Sequence, residues 1–218
     1  MINLINKKRV LGQIEIIREI NASEKEGREV NLSNSIIPDL SAIYDKVKGG
    51  LNLENSEIKN SIFLSEITIY GDLNLKNSII EGSLYLGNCK IKGDLLFENA
   101  KIKGAANLVG SEINGNINAK NATIFGFLAI NKAKIDGDIL LEDVKIKKSQ
   151  YEKLIIRGDL LLGNTMINGG LDLGRLSAEG IIDMENTTIN NNLVLIDTKS
   201  NSKEIDISAT KLEGKKII

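Results

Sequence analysis

Glycine returns every eleven residues from Gly71 through Gly82, Gly93, Gly104, Gly115 and Gly126 to Gly137, without a slip in spacing. A period this short and strict leaves a stacked solenoid as the architecture that every unit can share. With Gly as position one, position three is Leu73, Leu84, Leu95, Ala106, Ile117, Leu128 and Ile139. Position five is Leu75, Leu86, Phe97, Leu108, Ala119, Ile130 and Leu141, and position ten is isoleucine from Ile80 to Ile146. Position eight is small in Ser78, Cys89, Ala100, Ser111, Ala122 and Ala133. Alternation at three and five, and again at eight and ten, predicts two short strands per unit, each with one buried face. The steps from five to eight and from ten to the next three break the alternation and predict two corners, the second carrying Gly.

Position seven sorts the units into two kinds. Asn34, Asn55, Asn77, Asn99, Asn121, Asp143, Asn164 and Asn186 fall in alternate units, and between them stand Glu66, Asn88, Gly110, Lys132, Arg175 and Asp197. One corner that demands Asn and an opposite corner that does not make the coil two units, about 22 residues. Stacked in register at roughly 4.8 Å, the Asn column is expected to act as a structural ladder. Position six of the same units runs Glu54, Lys76, Glu98, Lys120, Glu142, so that opposite charges meet at each step.

The inward pairs of a small residue followed two later by a large aliphatic, Ser78/Ile80, Cys89/Ile91, Ala100/Ile102 and Ala122/Ile124, resemble the pentapeptide-repeat family. The family steps by five; here five alternates with six, so the chain resembles an eleven-residue variant over nearly all of residues 28–218. That resemblance implies an all-β, right-handed parallel β-helix of quadrilateral section, a hand that crossover preference also favours. It further implies dimerisation through the C-terminal ends, as in some members.

Residues 1–27 lie outside the repeat. Val10, Leu11, Ile14, Ile17 and Ile20 fall on one side of a helix, and Ala22 to Gly27 reads as its exit turn, so the segment is expected to cap the first coil. The start of the chain has no uninterrupted apolar stretch, and no segment approaches 18 apolar residues without a charge. The expectation is a cytoplasmic protein without a membrane partner.

The chain has 218 residues, with 28 Lys+Arg against 29 Asp+Glu and a net charge of -1. That balance speaks against a nucleic-acid partner and against DNA mimicry of the topoisomerase-binding kind. With no His and one Cys, the common zinc sets and Ser-His or Cys-His dyads cannot be assembled within one chain, and no cofactor is expected. A carbohydrate-active β-helix enzyme remains the alternative from another class, but flat walls of ladders offer no cleft. The favoured expectation is a non-catalytic scaffold that binds a protein partner.

Candidate sites follow from departures from what packing needs. Asp72, Asp94, Asn116, Asp138 and Asp159 each follow a corner Gly and are expected to stack, either as turn residues or as a weak oxygen-ligand column for a cation; no other metal site is expected. Phe63 and Tyr85 stand 22 apart at an outward position, and Phe125 and Phe127 flank Gly126 at a corner. Tyr44 and Tyr151 lie in two breaks of the repeat, residues 38–48 and 148–157, the second of which keeps Leu154 and Ile156 in phase. One extra residue near Lys199 makes a bulge. Ile205, Ile207 and Leu212 complete the pattern without a recognisable cap, so the C-terminal coil is the expected homodimer interface.

Overall fold

The computed structural model describes residues 8–41, 43, 46–148, 158–200, 205 and 207–218. Each inward Leu-x-Leu or small-x-Ile pair forms a two- or three-residue strand, and each strand pairs in parallel with its equivalent one coil away. Four sheets result, so the coil is a quadrilateral with four walls. Wall one holds nine strands, from Val30–Asn31 to Lys216–Ile217. Wall two holds eight, among them Ile79–Ile80, Lys101–Ile102, Thr123–Phe125 and Lys145–Lys147. Wall three holds six, from Ile62–Phe63 to Ile182–Asp183, and wall four eight, from Lys46–Val47 to Lys211–Leu212.

The core is a set of vertical columns. Ile58, Ile80, Ile102, Ile124 and Ile146 stack in wall two with no exposure at all, and Leu73, Leu95 and Ile117 do the same in wall one. Full burial of each such side chain stabilises by about 1.5–3 kcal/mol. The small position admits a hydroxyl where it can be satisfied across coils. Ser56 Oγ donates to Leu32 O at 2.9 Å, Thr165 Oγ1 to Ile130 O at 2.7 Å and Thr187 Oγ1 to Leu162 O at 2.9 Å. Cys89 occupies the column of Thr165 and Thr187, and burial pushes its thiol up to about 12.

Register exposes a phase change that the repeat conceals. Leu84 pairs with Ala106, 22 residues on, but Leu128 pairs with Leu160 and Ile139 with Leu171, 32 residues on. The register therefore carries a ten-residue excursion across residues 148–157, which do not count as an eleven-residue unit of the coil. Leu154 and Ile156, in phase by sequence, lie outside the described residues. Near the C-terminus Leu193 pairs with Lys216, 23 residues on, which is the expected single-residue bulge.

The one helix among the described residues, Gln13–Glu26 (α1), closes the N-terminal end, its C-cap Gly27 at φ 69°. The Glu15 carboxylate accepts the Gly12 N–H at 3.1 Å, and Glu19 pairs with Arg28 while accepting the Asn31 N–H at 2.9 Å. The buried side differs from the expected one: Leu11 and Ile16 are buried and Ile20 half-buried, whereas Val10, Ile14 and Ile17 face solvent. Arg9–Val10 is itself a strand, pairing with Ser35–Ile36 at the end of wall two, which turns the Val10 side chain away from the core.

Candidate functional site

The corner after each Gly is where polar side chains first become functional candidates. Asp94 N–H donates to Asp72 Oδ1 at 2.8 Å, Asn116 N–H to Asp94 Oδ1 at 2.7 Å, Asp138 N–H to Asn116 Oδ1 at 2.9 Å and Gly170 N–H to Asp138 Oδ1 at 2.6 Å. The carboxylates form a relay along the solenoid, each binding the backbone of the next coil. Because of the ten-residue excursion, Asp159 does not belong to this column: it follows Ser61, Ser83, Ala105 and Phe127 on the wall-three side and accepts the Ile181 N–H at 2.9 Å. Among the described residues no three His, Cys, Asp or Glu side chains come together as a metal-binding set.

The same excursion divides the Asn column. Asn34, Asn55, Asn77, Asn99, Asn121 and Asp143 stack between walls one and two, and Arg175 and Asp197 continue that corner. Asn164 and Asn186 belong to the opposite corner, after Glu66, Asn88, Gly110 and Lys132. Both corners demand the same backbone. All thirteen non-glycine residues just named have φ between 53° and 64°, and Gly110 has 70°. Asn is favoured because it tolerates this left-handed region better than other side chains. Within these corner columns an amide rung runs from Asn99 Nδ2 to Asn77 Oδ1 at 3.1 Å.

Charge ladders cover walls one and four. Lys76 pairs with Glu98 at 3.0 Å and Lys120 with Glu142 at 3.1 Å, while Lys90 pairs with Glu112 at 3.4 Å. Arg175 adds a second cation to Glu142 and binds Asp143. Lys120 and Arg175 hold the Glu142 carboxyl below its ordinary 4.5, and Arg175 holds Asp143 below 3.8.

Wall three is different. Across its first four strands and their flanks the outward residues are Ser61, Phe63, Ser65, Ser83, Tyr85, Gly87, Ala105, Asn107, Val109, Phe127, Ala129 and Asn131, with no charge among them. Phe63 is 67% exposed, and its ring stacks on Tyr85 with centroids 5.0 Å apart and planes 12° apart. Phe127 is half-buried. Phe125, expected beside it on the surface, is 7% exposed on wall two, because the Lys101 and Lys147 side chains cover its ring with ammonium groups 5.7 and 5.6 Å from the centroid. Tyr44 and Tyr151 lie outside the described residues.

At the C-terminal end, Ile205, Ile207 and Leu212 are partly buried against the core, and Ile217 and Ile218 are exposed. No helix among the described residues is long and apolar enough to cross a membrane. No family model, no curated protein and no solved structure matches the chain.

Proposed function

We propose that the protein is a non-catalytic scaffold that holds a protein partner along its walls, working in the cytoplasm. The observation that carries this reading is the exposed Phe63–Tyr85 stack on the first four strands of wall three, whose outward residues carry no charge. Aromatic side chains are enriched where proteins meet, and an exposed pair on an uncharged sheet loses little solvation when covered. The corner carboxylates are already engaged by backbone N–H groups, which supports a structural part for them. The test is affinity capture with the full chain and with a Phe63→Ser/Tyr85→Ser variant of equal melting temperature. The reading expects the captured partner to be lost from the variant; identical capture by both overturns it.

The same reading includes a homodimer through the C-terminal coil. Lys211–Leu212 and Lys216–Ile217 each pair with one neighbour among the described strands, and half-buried Ile205, Ile207 and Leu212 lie beside them. Light scattering on the full chain and on a truncation after Asp197 tests it. A dimer that becomes a monomer on truncation supports the interface, and a monomeric full chain removes it.

A further inference from the structure

Wall two breaks the alternation of charge that the ladder from Glu54 to Glu142 obeys. Its outer column at the far edge reads Lys59, Glu81, Lys103, Phe125, Lys147, Glu179, so Phe125 stands where alternation calls for a carboxylate. The neighbouring column reads Glu57, Ile79, Lys101, Thr123, Lys145, Ser177. Lys101 and Lys103 therefore form one row, Lys145 and Lys147 another two coils on, and Thr123 with Phe125 lies between them.

Lys76, Lys90 and Lys120 each find a carboxylate one coil away; here Lys103 pairs with Glu81, while no salt bridge among the described residues engages Lys101, Lys145 or Lys147. Two of the three lean over the Phe125 ring instead. A cation held by a ring face keeps its charge and most of its hydrogen-bond donors for another ligand. The rows are roughly 9–10 Å apart and the two lysines of a row about 6.5–7 Å apart, from strand spacing and rise.

We infer that this quartet is a docking site for an extended acidic segment of a partner protein, with carboxylates at alternate positions. Alternate side chains of an extended chain repeat at about 6.5–7 Å, the spacing within each lysine row. Glu81 and Glu179 bound the patch above and below, which matches a short acidic segment and opposes a long, uniformly charged polyanion running along the wall. Phe125 is buried beneath the lysines and offers no face for stacking a base. The inference adds a second wall to the scaffold reading and does not depend on Phe63 or Tyr85.

The experiment is fluorescence anisotropy on the full chain with a labelled peptide of alternating Glu and Ser, at low and at high salt. Lys101→Gln/Lys145→Gln/Lys147→Gln should weaken binding on the order of tenfold or more, and raised salt should weaken the wild type similarly. Phe125→Glu, which restores the alternation, should do the same. Lys90→Gln/Lys134→Gln on wall four and Phe63→Ser/Tyr85→Ser on wall three should leave binding unchanged. Equal binding by the triple lysine variant overturns the site, as does no binding to the wild type at low salt. Tighter binding of a labelled oligonucleotide than of the peptide overturns the partner class.

Discussion

Arg175 sits directly over Asp143, its Nε and Nη2 each donating to one carboxylate oxygen at 2.8 Å, although 32 residues separate the two. From Lys46 up to the interruption the residue one coil away is 22 positions on, as Leu95 is from Leu73. The pair thus spans the excursion of residues 148–157 and shows that the corner re-forms beyond it with a different side chain at the same left-handed position.

Removing the excursion should leave the fold intact. Deletion of 148–157 joins Lys147 to Gly158 and reproduces the order Lys103-Gly104 found two coils earlier, so every strand partner keeps its register. The deletion protein is expected to melt cooperatively at or above the wild-type temperature. Loss of a cooperative transition in circular dichroism would show that the excursion contributes to the coil.

Ile102→Asp should be severe. Ile102 has no exposure and stands between Ile80 and Ile124 in an apolar column, with no partner for a carboxylate. A cost on the order of 3–5 kcal/mol is expected from burying an unpaired charge. A variant with the wild-type urea midpoint is incompatible with the inward register.

Left-handed corners make a distinct forecast. Lys132 holds φ 59° and Asn88 55°, in the same corner column. Lys132→Gly should raise stability by roughly 0.5–1 kcal/mol by relieving the backbone, while Asn88→Ala should lower it by about 1 kcal/mol. Asn99→Ala should cost slightly more than Asn88→Ala, since it also removes the rung to Asn77. Urea midpoints decide: a Lys132→Gly protein less stable than wild type contradicts the left-handed assignment.

Acid should loosen the ion-paired corners first. Arg28, with the Asn31 N–H, holds Glu19 below its ordinary 4.5, and Lys120 and Arg175 do the same to Glu142. Carboxyls with lowered folded-state values stabilise the fold above the ordinary value and lose that contribution as pH falls through the lowered one. Stability should be flat from neutrality to about pH 5 and decline below 4.5. A Glu19→Gln/Glu142→Gln protein should be weaker at neutral pH and show a shallower acid decline; an unchanged acid slope contradicts the assignment.

The coil length, the inward columns and the Phe63–Tyr85 stack were all legible from the sequence, because a strict period fixes which side chains meet. The columns failed where periodicity was imitated. Residues 148–157 hold Leu154 and Ile156 at the expected phase and number one fewer than a unit, so counting carried Asn164, Asn186 and Asp159 into the wrong corners. The identity of Phe125 hid its burial for a different reason: cover comes from lysine stems one coil to either side, a cross-coil relation that no linear pattern states. The buried side of α1 was missed because Leu11 lies before the helix and the face that meets the core is set by Ile16, Ile20 and Ser23.

The uneven coil also sets how the molecule would give way under load. Each coil is held only by its neighbours, so tension on the two ends should peel coils off one after another, each releasing about 73–79 Å of chain for 22 residues. The coil carrying the excursion should release about 106–115 Å, a single longer step that marks its place in a force–extension trace.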